Sequence, residues 1–570
     1  MPADAAVLLP PPDPDGSRLT RTGGPRLRSL AGDIRRGARL LAVSAVVAGC
    51  LSPDITPGPT LTAAPPSAAA SLPPSPAPSP SGTATAVSLT LPLAVVTGLT
   101  NLKSAITLPE LGVLAESGRL VVPCGLAVTE PPLTVTAPCV PADQIAGAIA
   151  AKPSLVALLP PGLVEPATAI LSIDGKGPFG LFGADLFGDP AARALPYPVQ
   201  GRATGAPAID PAWIAYDASK VWTISSVGGS CPDRGAAYQA ITLHKGWDWV
   251  FNGGTARYRG KPFLDPSPPS GIAAHLVVSA VDTGHNGTVA KLIAGADLTI
   301  ADVECPIVDS ASWVPNLGRA LFFSISEDVL PLWQAKLGFD VLYMAANHNS
   351  DKGPAGIRSS LRLLDQYGIE HTGLGLNKDQ ALEPAYVERA GVKVAFVAWN
   401  DVPGVVEADA TTPGVAWLRK ANVIESVRRA RAGAAQVVIC DPQWWGGAEY
   451  HSDLKPSELV QLQWFDQAGC DDVIGAGTHL AGPMLIRRRS SGVGLVMASE
   501  GNIMFGQDWW QQTQEGVIVT LSFRGSELVN TRMHPYVMLF NSRAALTDPQ
   551  GDGHYVLQRV WANSELDYRP

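Results

Sequence analysis

From Val221 onward, strand-like runs alternate with helix-like stretches, and this alternation restricts the fold of the chain more than any other feature. The runs are VWTISSV, DLTIADV, FDVLYMA, VKVAFVAW, AQVVIC, DDVIGA, GLVMAS and GVIVTLSF, with helix-like stretches at 354–367, 420–432 and 456–469 among them. Such a pattern predicts an α/β domain with largely parallel central strands. In sheets of this kind the ligand-binding loops leave the carboxyl ends of strands. Polar residues at those ends are therefore the first candidates for chemistry.

Four clusters fall there. Glu304 follows DLTIADV; Asn347, His348 and Asp351 follow FDVLYMA; His479, in AGTH, follows DDVIG; and Glu500, Gly501 and Asn502 follow GLVMAS. A carboxylate, an amide oxygen and two imidazoles suit a hard or borderline divalent metal. Each residue alone has an ordinary role as a turn or cap, but four clusters at strand ends of one domain favour a site.

The N-terminus carries a different kind of information. Arg26, Arg28, Arg35, Arg36 and Arg39 precede LLAVSAVVAGC, an apolar run too short to span a bilayer. This is the pattern of a signal peptide, and Val47-Ala48-Gly49-Cys50 resembles the bacterial lipobox, with Cys50 as the lipidated residue. An ordinary secretory signal with an incidental cysteine is the alternative. Both place the protein outside the cytoplasm, and the lipobox places it on the extracytoplasmic face of the cell membrane through a lipid anchor. Residues 51–87 are Pro, Ala, Ser and Thr with almost no charge, the composition of a disordered tether. Residues 88–215 read as a smaller α/β domain without a chemical motif, 216–545 as the main domain, and 546–570 as a tail packing on it. The net charge of −9 and scattered Lys and Arg leave no basic stripe for nucleic acid.

Without Cys50, six cysteines remain, an even number that an oxidising compartment can pair. Cys124 with Cys139 is the most local choice, and Cys231 and Cys305 both sit where loops leave predicted strands. Cys440 ends the run AQVVIC whereas Cys470 begins CDDVIGA. In parallel neighbours those positions lie on opposite edges of the sheet, so this pair is expected to stay reduced.

The blocks GADLTIADVECPI, AANHNSDKGPAGIRSSLRLLDQYGIEHTGLG, GVKVAFVAWND, WWGGAEYH, AGCDDVIGAGTH and ASEGNIMFGQ, in this order over about residues 221–525, resemble the CapA family of capsule and poly-γ-glutamate biosynthesis proteins. The resemblance implies a calcineurin-like metallophosphoesterase fold, a four-layer αββα sandwich, and hydrolysis of a phosphoester or glutamyl amide by a metal-bound water. It implies Glu304, Asn347 and His479 as metal ligands, His348 with Asp351 as the catalytic pair, and Asn502 near the substrate. The metal would be Mn, Fe, Zn or Mg. Partners implied are an anionic envelope polymer such as poly-γ-glutamate and the capsule synthesis machinery.

Three family ligands are missing. Gly229 stands where a metal-binding aspartate is usual, Trp444 where a histidine is usual, and Ala476 at an earlier histidine. Asp233 is the candidate replacement ligand, and Arg234, Glu449 and His451 are candidate substrate contacts. Two functions remain open: an extracytoplasmic hydrolase with a reduced metal site, and a non-catalytic lipoprotein that binds polymer or scaffolds the capsule machinery.

Overall fold

In the computed structural model, strand Val221–Ser230 is the pivot of a ten-stranded sheet, because its residues are buried on both faces. The structure describes residues 87–103, 105–129, 131–173, 199–205, 218–259, 279–317, 320–508 and 510–570. Cys50 and all but the last residue of the tether lie outside these. Val221–Ser230 pairs in parallel with Leu298–Val303, which continues in parallel to Val341–Tyr343 and Glu370–Thr372. On its other side it pairs antiparallel with Glu515–Arg524. A second sheet of seven strands has Val392–Asn400, Val437–Gln443, Asp472–Ile474 and Gly492–Met497 as its parallel centre.

The side-chain alternation of these strands builds the layers. In Val392–Asn400, Val394, Phe396 and Ala398 face the other sheet, where they meet Ile300, Val341 and Tyr343. Ala395, Val397 and Trp399 face outward onto helices Lys420–Ala432 and Pro456–Ala468 through Val423, Val427, Leu462 and Phe465. The first sheet is covered in the same way by Thr288–Ala294 and Gly353–Tyr367. In the latter helix, Ile357, Leu361 and Leu364 form the buried stripe, with Pro354 in the first turn and Gly368 ending it in the left-handed conformation. The result is the expected four-layer αββα sandwich. Strands buried on both faces read as unbroken apolar runs, which is why they stand out in the sequence.

Residues before the sandwich form an eight-stranded sheet centred on Val87–Gly98, with helices Leu108–Glu116 and Ile145–Ala151. It meets the sandwich through a two-bond ion pair, Arg488 to Glu165 at 2.9 and 2.6 Å, and through the Arg524 guanidinium donating to the Pro161 carbonyl at 2.7 Å. At the other end, Glu565–Tyr568 adds in parallel to Met484–Arg489 as an edge strand of the second sheet.

Disulfides join Cys124 to Cys139, Cys231 to Cys305, and Cys440 to Cys470. The third corrects the expectation that Cys440 and Cys470 stay reduced. Strand Val437–Gln443 runs three residues past Cys440, through Asp441-Pro442-Gln443, so Cys440 lies mid-strand rather than at an edge. Cys470 precedes its own strand, in the turn after helix Pro456–Ala468, and the two Cα atoms are 6.0 Å apart. The sulfurs meet in the core between that helix and the sheet. Replacing both with alanine is expected to cost about 2–4 kcal/mol, the usual effect of opening a loop of this size. A denaturant midpoint measured under non-reducing conditions checks it.

Candidate active-site cleft

The clusters predicted at strand ends converge at one edge of the sandwich. Glu304 directly follows Leu298–Val303, where burial and then the neighbouring Asp302 charge push its carboxyl well above the usual range. Its Oε1 accepts from Gln443 Nε2 at 3.1 Å, and the same nitrogen donates to Asn347 Oδ1 at 3.2 Å. In this orientation one amide nitrogen serves both oxygens. The Gln443 side-chain oxygen Oε1 is left buried without a donor. His479, with φ 59, donates from Nδ1 to Asn502 Oδ1 at 2.8 Å and lies 3.8 Å from Glu304 Oε2. Burial lowers the His479 pKa, opposed by the charge of Glu449.

Asn347 and His348 sit on the short 3-10 turn Asn347–Ser350. Asn349, in the same turn, is fully buried and donates to the Val303 and Met344 carbonyls at 2.7 and 3.0 Å. It ties the turn to two strand ends and so aims its neighbours. His348 Nδ1 pairs with Asp351 Oδ2 at 2.9 Å, and that oxygen also accepts the Phe323 N–H at 2.6 Å. The Phe323 ring meets His348 edge-on, with centroids 4.5 Å apart, while the Arg234 guanidinium lies 4.6 Å from its centre. Arg234 is held by the Ala320 and Gly506 carbonyls. Glu449 is near enough for its charge to raise both Glu304 and Tyr450.

The cleft thus gathers Glu304, Asn347, His348, Asp351, Arg234, Glu449, His479 and Asn502. It does not gather Asp233 or His451. The Asp233 carboxylate accepts the backbone N–H groups of Arg234, Asn316 and Ser324 at 2.9, 2.7 and 3.2 Å, which makes it the clamp of its own loop rather than a replacement ligand. His451 turns to the Asp453 carbonyl at 2.8 Å and to buried Glu458 at 3.3 Å. Although burial works against its charged form, Glu458 raises its pKa overall.

At the positions of the missing ligands, the structure shows what stands there. Gly228-Gly229 packs against Gly501-Asn502, and a Cβ on Gly228 would lie 2.1 Å from the Gly501 carbonyl oxygen. A Cβ on Gly229 would look onto Glu304 Oε2, Asn502 Oδ1 and Asp302 Oδ2 at 3.1, 3.5 and 3.7 Å. Trp444 points away from the cleft, its indole N–H on the Ala498 carbonyl at 2.7 Å and its ring against Phe465. Its neighbour Gln443 faces inward instead. Sequence reasoning missed Gln443 because it ended the strand at Cys440; the alternation Val437, Ile439, Asp441, Gln443 on one face would have exposed it. The residues present do not fit a divalent-metal centre. Among the described residues no three His, Cys, Asp or Glu side chains are arranged around an ion, and a neutral amide N–H2 bridges two of the oxygens that a cation would need.

Residues 266–507 match the family model described as bacterial capsule synthesis protein PGA_cap. This region matches the CapA family. The capsule biosynthesis protein CapA of Bacillus anthracis is 25% identical over 192 residues, 33% of this chain and 45% of that protein. The PGA biosynthesis protein CapA of Bacillus subtilis (strain 168) is 26% identical over 185 residues, 32% of this chain and 47% of that one. The match therefore spans just under half the length of these curated CapA relatives. Among solved structures, the 5'-nucleotidase precursor of Thermus thermophilus aligns over 60% of this chain and 58% of its own, at 11% identity and TM-score 0.30. The NAD nucleotidase of Haemophilus influenzae aligns over 61% and 57%, at 11% identity and TM-score 0.31.

Beneath the cleft, Asp302, Asp441 and Glu500 are buried together with Glu304. Burial raises all of them, Asp302 to about 7, and the Asp302 charge adds to the effect on Glu304, Asp441 and Glu500. Asp472 is raised to about 6 for the same first reason. A carboxyl whose pKa is raised on folding binds its proton more tightly in the folded state. The stability it gives is complete below the unfolded value near ~4 and is lost as pH rises through the folded value. Urea denaturation in chelator is expected to give a lower unfolding free energy at pH 8 than at pH 5; the reverse order would show these carboxyls to be ionised in the fold.

Proposed function

We propose that this chain is an extracytoplasmic capsule-biosynthesis protein, anchored by lipid at Cys50, whose cleft binds an anionic envelope polymer of the poly-γ-glutamate class without metal-dependent hydrolysis. The observation that carries the proposal is the Gln443 amide nitrogen bridging Glu304 and Asn347, with Gly229 in place of a carboxylate. Neither a bridging carboxylate nor a hydrolytic ion has a place in that arrangement. What the cleft offers an anion is Arg234 and His348, with Lys352 following in the same loop, its ammonium 4.4 Å from the Phe322 ring centre. A guanidinium recognises carboxylates by paired N–H bonds. Poly-γ-glutamate presents one carboxylate per residue, so several can be engaged at once.

One observation favours a second reading. His348 and Asp351, paired at 2.9 Å, form a unit able to take or give a proton without a metal. Such a unit would support slow cleavage of the bound polymer.

The test combines metal content, binding and turnover. Purified chain is analysed for Mn, Fe, Zn and Mg after dialysis, titrated with poly-γ-glutamate by calorimetry, and assayed for release of glutamyl fragments and for phosphoester hydrolysis. The expected result is no stoichiometric metal and salt-dependent binding. Arg234→Ala is expected to weaken it about tenfold or more, the loss of one charge-assisted contact. Stoichiometric metal with His348-dependent turnover would sink the proposal. Metal-free fragment release that disappears in His348→Ala would establish the second reading.

A further inference from the structure

Away from the cleft, the seam between the N-terminal sheet and the sandwich holds a half-open pocket of about 60 Å³. Leu99 and Leu102 wall it on one side, Met533 and Leu557 on the other. Arg532 reaches into it from strand Glu527–Leu539. One terminal nitrogen donates to the Ile170 carbonyl, the single acceptor of this guanidinium among the described residues, and Nε is buried with no acceptor. Burial alone lowers its pKa, to about 10; no carboxylate counteracts it.

Two more donors end in the same walls without a partner. They are the hydroxyl of Thr531, whose residue is 1% exposed, and the indole N–H of Trp561. The other titratable groups of the lining do not offset Arg532. Lys103 is already paired with Glu110 at 3.0 Å, and His534 is pushed down to about 3 by burial and by Arg532 itself, so its ring is neutral. A half-buried guanidinium whose Nε is buried without an acceptor, with unpaired donors beside it, is best completed by something negative. We propose that this cavity is a binding site for a small oxyanion, the carboxylate or phosphate group of a ligand, held by Arg532, Thr531 and Trp561. An anion bound there would tie the N-terminal sheet to the sandwich, since the same guanidinium already holds Ile170. None of these residues belongs to the cleft, so the site stands or falls independently of the polymer-binding proposal.

The experiment follows the Trp561 indole N–H resonance of the ¹⁵N-labelled chain, identified by its loss in Trp561→Phe. Acetate, inorganic phosphate and neutral propanamide are titrated separately at constant ionic strength balanced with chloride. A saturable shift with an oxyanion and none with propanamide is expected. Response to acetate alone assigns a carboxylate, and response to phosphate alone assigns a phosphate. Arg532→Met is expected to weaken the response about tenfold or more. Thr531→Val keeps the charge and the Ile170 contact and is expected to weaken it less. A resonance unmoved by both anions in the parent chain, or moved equally by propanamide, overturns the site; so does an undiminished response in folded Arg532→Met.

Discussion

Gln443→Glu is expected to destabilise the chain by about 3–5 kcal/mol at pH 8 in chelator, the range for an uncompensated buried charge. The substitution places a second carboxyl where the amide now donates to Glu304 Oε1 at 3.1 Å and Asn347 Oδ1 at 3.2 Å. Both the new carboxyl and Glu304 would be raised by burial and by each other, so the loss should shrink as pH falls toward 5 and the pair takes up protons. Added Mn is expected to recover part of the loss, because the pair would then have the cation that Gln443 renders unnecessary. Denaturant midpoints at the two pH values, with and without metal, read all three effects. A variant as stable as its parent at pH 8 in chelator would remove the amide from its bridging place and, with it, the argument against a metal.

The second large effect is expected at Arg487. This side chain is fully buried between helix Pro456–Ala468 and the second sheet, paired with Asp466 at 2.5 Å and donating to the Asp471 and Cys470 carbonyls at 2.8 and 3.3 Å. Arg487→Met keeps most of the volume but takes from the Asp466 carboxylate its direct partner, leaving Arg489 4.0 Å away, while the two carbonyls keep the Arg489 guanidinium as donor. Removing one partner of a buried pair costs about 3–5 kcal/mol. The turn it clamps is the one that opens strand Asp472–Ile474, whose far end carries the loop to His479. The substitution should therefore lower polymer affinity as well as the urea midpoint. An unchanged midpoint would mean that the pair contributes little beyond its own desolvation.

Much of the fold is legible in the sequence for one reason. Parallel strands covered on both faces must be apolar along their whole length, and helices between them must present one apolar stripe, so runs such as VKVAFVAW and helix Gly353–Tyr367 declare themselves. The positions of Glu304, His348, His479 and Asn502 at one edge follow from the same rule about strand ends. Two of the errors share one origin. Asp441-Pro442-Gln443 looks like the end of a strand, yet the chain stays extended through it. That continuation brought Cys440 within reach of Cys470 and turned Gln443 into the cleft in place of Trp444.

Asp302 was hidden differently. It shares a face with Leu298, Ile300 and Glu304, but a buried carboxyl is recognisable only when its neighbours across the sheets, Asp441 and Glu500, are known. Asp233 and His451 were plausible by proximity in sequence. The backbone amides around the one and Glu458 beside the other took them for local structure.

By itself the sequence determined the layered α/β architecture, the strand-end location of the cleft and the CapA resemblance, because these depend on the period of apolar residues and on ordered motifs. Only the tertiary structure decided which polar group stands between Glu304 and Asn347, which cysteines meet, and that the half-buried Arg532 has no carboxylate beside it. Those outcomes depend on side chains from strands far apart in sequence meeting within about 3 Å, the reach of a hydrogen bond, and no local pattern encodes that distance.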